Sequence, residues 1–222
     1  MPIWFRDLAP FVALVAAVLL FQWWWAQRRK KSLSDVASQL GLTFEAEDWG
    51  TRSSGPQLES RHFAQDYGQN FRNSMSGERE GLRVSFFDHV ISGRSGHTDT
   101  IASFTQSIFL PEFAFAQQDV FNKIGDSVLH RQIEFSSDPA FSERFRLLGA
   151  DGDRVRELFT PDMREFLGGI EPQWRIEASG HTLVIYVDGY VVKSAEFADF
   201  VDATTEFAKN FFSHCHLKKP AF

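Results

Sequence analysis

Residues 8–27 form 20 consecutive positions without a charged side chain. At 1.5 Å per residue, a helix of that length crosses a hydrocarbon core of about 30 Å. Strongly apolar residues recur throughout it: Leu8, Phe11, Val12, Leu14, Val15, Val18, Leu19, Leu20 and Phe21. At a few tenths of a kcal/mol each they favour insertion by roughly 3–5 kcal/mol. Pro10 falls in the first turn, where its missing N–H would have had no partner. Trp23, Trp24 and Trp25 follow, and amphipathic indoles favour the headgroup level. Arg28, Arg29, Lys30 and Lys31 come next, and four cations after the span against Arg6 and Asp7 before it predict an N-terminus outside and a cytoplasmic C-terminal side. A cleaved signal peptide would need a basic leading region and a small-x-small site after the apolar run, and neither is present. The expectation is a single-pass protein of the inner (plasma) membrane, with the lipid bilayer as its first partner.

Charge divides at the same place. The chain has 23 basic and 29 acidic residues for a net charge of −6. Arg6, Arg28, Arg29, Lys30 and Lys31 against Asp7 alone give +4 before residue 32, and the other 18 basic and 28 acidic residues give −10. An acidic body repels phosphate backbones, which argues against nucleic acid as a partner. The single cysteine, Cys215, excludes an intramolecular disulfide and a zinc site built from several thiolates of this chain.

Beyond the span, Ser32 and Asp35 read as the cap of a short helix striped by Leu33, Val36, Ala37 and Leu40 and stopped by Gly41. Residues 44–70 show no sustained period. From Leu82 the period becomes two: residues 82–91 and 98–110 predict a long antiparallel hairpin, with 92–96 as its turn. Residues 174–178, 182–187 and 190–192 predict a three-strand meander turning at Ser179-Gly180 and Asp188-Gly189. Asp151 and Thr160-Pro161 open helices, and Ser194 opens the last, whose Phe197, Phe200, Val201, Phe207, Ala208, Phe211 and Phe212 fall at helical spacing as a core stripe. The predicted class is α+β: an N-terminal transmembrane helix followed by a mainly antiparallel β-sheet domain packed with helices. The predicted organisation is an anchor with basic flank over 1–31, an amphipathic helix and irregular lead-in over 32–70, and an α+β cytoplasmic domain over 71–222.

Phe87-Asp88, Thr100, Leu110-Pro111-x-Phe113-x-Phe115, Phe141-Ser142, Leu148-Gly149 and Val155-Arg156-x-Leu158-Phe159 together resemble a family of bacterial proteins with one or two N-terminal membrane spans and a domain of unknown function. The resemblance covers roughly residues 81–192. It implies an anchored domain and carries no activity onto particular residues.

Catalytic and cofactor motifs are not found. Asp88, His89, His97 and Asp99 flank the predicted hairpin turn, where His and Asp within reach could pass protons; the simpler expectation is that they solvate the turn. Ser92-Gly93-Arg94-Ser95-Gly96 lacks the Lys-Ser/Thr ending of a phosphate loop. His214, Cys215 and His216 are metal-donor types, but at a helix end neighbours two apart point away from one another. No cofactor or metal is therefore expected. With 24 phenylalanines in the chain, aromatic residues around Phe113 and Phe115 are expected on the surface as an interaction face. The expected function is protein interaction, as an accessory subunit of a membrane complex. The alternative is an anchored enzyme or small-ligand sensor served by His89, His97 or His181 in a pocket between sheet and helices.

Overall fold

The computed structural model describes residues 4–46, 70–90, 96–121, 131–171 and 173–215. The middle of the predicted lead-in, most of the hairpin turn and His216 lie outside them.

Helix α1 (Trp4–Gln39) is 36 residues long. It is long and apolar enough to cross a membrane, and its large side chains from Phe11 to Trp25 are exposed, as lipid-facing groups would be. The predicted break at Ser32 does not occur. Helical spacing continues across it, because Arg29, Leu33 and Ala37 fall at successive steps of four on one face. Leu33 and Ala37 on that face are fully buried in the domain core. The helix stops at Gly41, where φ is +71°, a left-handed cap that glycine adopts without a Cβ penalty. The C-terminal end of α1 is thus a core element of the domain.

Seven described strands form one antiparallel sheet: β1 (Thr43–Glu45), β2 (Asn70–Arg79), β3 (Leu82–Val90), β4 (Thr98–Gln117), β5 (Arg131–Gln132), β6 (Phe145–Gly149) and β7 (Arg175–Tyr186). The predicted hairpin is β3 and β4, in register from Val90↔Thr98 to Arg83↔Thr105. β4 is the spine of the sheet. Its first half pairs with β3 and its last five residues with β6, while β7 pairs along its other edge. Glu80 and Gly81 both have positive φ and turn β2 into β3 in the manner of a two-residue hairpin loop.

The predicted meander is corrected. β7 runs through Ser179 and Gly180 without turning, and residues 190–192 form no strand. Gly180 has φ +60° and pairs with Leu110, with register shifts on both sides of that pair. It is a bulge, which bends a strand while leaving it in the sheet.

The helices are α2 (Gln118–Phe121), α3 (Pro139–Arg144), α4 (Gly152–Leu158), α5 (Pro161–Leu167) and α6 (Phe197–His214), the last led in by a 3-10 turn at Ser194–Glu196. Asp151 and Thr160 cap α4 and α5 as expected, accepting from the N–H groups of Arg154 and Met163. One face of the sheet packs on α1 and α6 through Val84, Phe86, Phe104, Leu183 and Ile185. The opposite face buries Phe87, Ile101, Val184 and Tyr186.

Candidate functional site

Strand alternation decides where Asp88 points. Leu82, Val84 and Phe86 face the helices, and Asp88 continues that row. On α1, Arg29 stands one turn before Leu33 on the face that packs against the same core. The two meet as a bidentate pair: Arg29 Nε donates to Asp88 Oδ2 at 3.0 Å and Nη2 to Oδ1 at 2.9 Å. Asn73 Nδ2 donates to Oδ2 at 2.8 Å and Thr100 Oγ1 to Oδ1 at 2.9 Å. A carboxylate offers about four acceptor positions, and four donors fill them here. Arg29 also donates from Nη1 to the Val192 carbonyl at 2.7 Å, and Val192 N–H donates to Thr100 Oγ1 at 3.0 Å. One ion pair therefore gathers α1, β2, β3, β4 and the loop after β7.

Asn73 reaches this node through an irregularity. The β2–β3 register shifts between Arg72 and Met75, and Asn73 has φ +53°. Asn tolerates the left-handed region better than most residues, and here the kink turns its side chain onto Asp88.

The other acid–base candidates do not join the node. His89 and Asp99 are cross-strand partners on the opposite face of the sheet, where His89 is buried and stacks on Phe71 at 5.2 Å. His97 Nε2 stands 3.4 Å from Asp99 Oδ2 and 3.6 Å from Asp188 Oδ1. That trio has donor types suited to a divalent ion, and a protonated imidazole serves the same two carboxylates. His181 lies at the far end of β7, beside Phe109 and the Ile108 carbonyl. Asp88, His89, His97, Asp99 and His181 therefore do not converge in one pocket. Nor do they merely solvate a turn, because Asp88, His89 and Asp99 are buried.

Asp99 has electrostatic consequences. It is 2% exposed and accepts the Gly189 N–H at 2.6 Å. Burial pushes its carboxyl from 3.8 up to about 6, against the opposing pull of His97 and of that N–H. A raised carboxyl favours the folded state fully below its unfolded value and loses that contribution as pH climbs through about 6. Asp99→Asn should accordingly gain about 1–3 kcal/mol more stability at pH 8 than at pH 4, relative to the parent chain. Thermal unfolding at the two pH values checks this, and an equal effect at both would refute it. Nearby, Tyr186 O–H donates to the buried Glu177 at 2.6 Å, and burial holds its phenol well above the usual range.

The C-terminal donors have other partners. His214 stacks on Phe166 at 4.8 Å, with Nδ1 at 2.7 Å from the Asn210 carbonyl. Cys215 Sγ donates to the Phe211 carbonyl, and burial pushes its thiol up to about 12, far from the thiolate form that metals bind.

Phe113 and Phe115, expected at an interaction face, are core residues at 3% and 1% exposure. Phe113 packs on Phe159 and Phe211, and Phe115 on Phe141, Phe145 and Phe159. Beyond α1, the exposed large apolar side chains among the described residues are Phe109 and Tyr190. The aromatic load fills the interior.

Two clefts open beside the Arg29 node. One of about 630 Å³ is lined by Phe21, Trp25, Lys30, Arg72, Asn73 and Val90. The other, of about 690 Å³, lies around Trp25, Arg28, Lys31, Asp35 and Lys193. From sequence, Arg29 and Lys30 read as topology signals. The four-residue step from Arg29 to Leu33 and Ala37 was the available hint that Arg29 faces the domain.

No protein-family model matches the chain, and no curated protein sequence matches it. The family resemblance read over residues 81–192 thus gains no support from sequence. Among solved structures, the crystal structure of the mycobacterial trehalose monomycolate transport factor A, TtfA, is similar with a TM-score of 0.57 at 12% identity, over 87% of this chain and 98% of that one. The chain shares its fold with TtfA. The likeness to TtfA is one of architecture, and it covers nearly the whole of both chains.

Proposed function

We propose that this chain is a single-pass accessory subunit of a membrane transport assembly, with its N-terminus outside and its α+β domain in the cytoplasm. Residues 1–31 anchor and orient it, and the end of α1 from Leu33, strand β1 and residues 71–222 together form the working part. The observation that carries this reading is the Arg29–Asp88 pair, which fixes the domain to the helix four residues beyond Trp25. A domain held this close to the bilayer suits contact with other membrane proteins, whereas an enzyme acting on soluble substrates gains nothing from such a constraint. The fold of a transport factor supports the same reading. The enzyme alternative is disfavoured by the separation of Asp88, His97 and His181 onto different parts of the sheet.

Orientation is tested with a reporter active only in the cytoplasm, which should work when fused after Phe222 and fail when fused before Met1. A C-terminal tag reachable from outside intact cells would overturn that topology. Association is tested by purifying the tagged full chain in mild detergent. It should migrate well above its monomer mass of 25.4 kDa with a polytopic membrane protein bound. A monodisperse monomer with no co-purifying protein would contradict the accessory role.

A further inference from the structure

Two carboxylates meet at one end of the sheet. Asp99 is the second residue of β4, and Asp188 lies two residues beyond Tyr186, the end of β7. Ile101↔Tyr186 is the last β4–β7 pair at this end, so both chains carry an aspartate two residues past it. Like charges set together across neighbouring strands repel unless a cation stands between them. Arg175 and Glu177, buried beside Tyr186 on β7, are of opposite sign and offset each other. The balance at this end therefore falls to whatever sits between Asp99 and Asp188.

His97, immediately before β4, reaches both. Its Nε2 stands 3.4 Å from Asp99 Oδ2 and 3.6 Å from Asp188 Oδ1, and the donor atoms of the three residues all lie within 4.8 Å of one another. Metal–ligand bonds of about 2.0–2.1 Å at the tetrahedral angle set ligand atoms about 3.3–3.4 Å apart. Octahedral bonds of similar length, as around magnesium, would bring adjacent ligands to about 2.9 Å. The two measured spacings fall nearer the tetrahedral edge.

Asp99 supplies a second observation. The residue is 2% exposed, and its Oδ1 accepts the Gly189 N–H at 2.6 Å. Its Oδ2 faces the imidazole nitrogen and accepts no hydrogen bond among the described residues. Buried carboxylate oxygens are almost always satisfied, and a carboxylate held through one oxygen by a backbone N–H is oriented to give the other to a metal.

We propose that His97 Nε2, Asp99 Oδ2 and Asp188 Oδ1 bind a zinc ion tetrahedrally, tying the start of β4 to the loop after β7. One imidazole with two carboxylates is a donor set that suits zinc, whereas copper(I) and iron–sulfur clusters call for thiolates. The side chains of His97 and Asp188 are 36% and 30% exposed, which leaves the fourth corner on the solvent side for water, as in sites with three protein ligands. His97 serves the same two carboxylates when protonated, and the zinc ion takes the place of that proton. The site is independent of the membrane partner proposed above.

The full chain in mild detergent, stripped with a chelator, is titrated with zinc against a fluorescent competitor. Cobalt(II) then replaces zinc so that visible absorption reports the geometry. One zinc per chain is expected, with the strong visible band of four-coordinate cobalt. His97→Ala and Asp188→Asn should each weaken binding at least about tenfold. The double variant Cys215→Ser with His216→Gln should leave it within about twofold. Zinc should raise the thermal midpoint of the parent chain and not that of Asp188→Asn, since an ion that binds only the folded state stabilises it. If His97→Ala folds poorly, Asp188→Asn, at a partly exposed side chain, decides. Equal zinc affinity in the parent and Asp188→Asn would overturn the site, and loss confined to the Cys215 and His216 double variant would move it to the C-terminus. The weak band of six-coordinate cobalt would overturn the tetrahedral assignment. No zinc binding at all would leave a protonated His97 as the cation between the carboxylates and overturn the proposal.

Discussion

Arg29→Ala should destabilise the chain by about 3 kcal/mol or more, because it strands the Asp88 carboxylate in a nearly water-free position. Removing one partner of a buried ion pair costs about 3–5 kcal/mol, much of it the uncompensated charge that remains. Asn73 and Thr100 would still donate to Asp88, which places the expected loss at the lower end. The double variant Arg29→Met with Asp88→Leu should recover much of the deficit, since replacing both partners removes the stranded charge. By contrast, Lys31→Ala on the exposed side of the same run should change stability by less than about 0.5 kcal/mol. Thermal unfolding of the full chain in one detergent ranks the three. If Arg29→Ala and Lys31→Ala proved equivalent, the four cations would be a topology signal and nothing else.

Phe115→Ala should cost about 3–5 kcal/mol. Its ring is buried with Phe141, Phe145 and Phe159 around it at 5.0–5.7 Å, and truncating a well-packed phenylalanine loses transfer free energy and leaves a cavity. The backbone on both sides is held by β6 and β7, so the void has little means of collapsing. Phe109→Ala, at an exposed ring on the same strand, should stay within about 1 kcal/mol. Denaturant titration measures both. A cost below about 0.5 kcal/mol at Phe115 would return that residue to the surface and revive it as an interaction face.

These two positions also mark what could and could not be read from sequence. The span, the Gly41 stop, the hairpin and the caps at Asp151 and Thr160 each depend on residues close together in the chain, and local rules suffice for them. The phenylalanine stripe of α6 was legible for the same reason, through helical period. Phe113 and Phe115 were misplaced because Pro111 suggests the end of a strand. In the sheet, Pro111 sits where the β4–β7 register shifts between Leu110 and Phe113, a place where its missing N–H costs no ladder bond. β4 therefore continues for six further residues, four of which, Phe113, Ala114, Phe115 and Ala116, are buried. Ser179-Gly180 misled in the converse way, since a glycine at positive φ serves a bulge as well as a turn.

The site was less legible than the fold. Alternation along β3 places Asp88 on the row of Val84 and Phe86, and helical spacing places Arg29 on the row of Leu33 and Ala37. Neither pattern says that rows 59 residues apart will meet. The pairing depends on α1 remaining helical through Ser32, where a plausible cap and a change in composition argued for a break. Packing of Leu33 and Ala37 in the core outweighed that local preference, as tertiary contacts commonly do.

The apolar helix and the domain form one unit, joined by a continuous α1 and the Arg29–Asp88 pair. Electron–electron distance measurement tests it directly, with spin labels at Leu20 in the span and Arg83 on β3, both exposed, and Cys215 replaced by Ser, in full chains reconstituted in nanodiscs. A single narrow distance distribution is predicted for the parent chain, broadening in Arg29→Gln. A broad distribution in the parent chain, unchanged by Arg29→Gln, would mean that the domain hangs from its anchor on a pliable tether and would contradict the account.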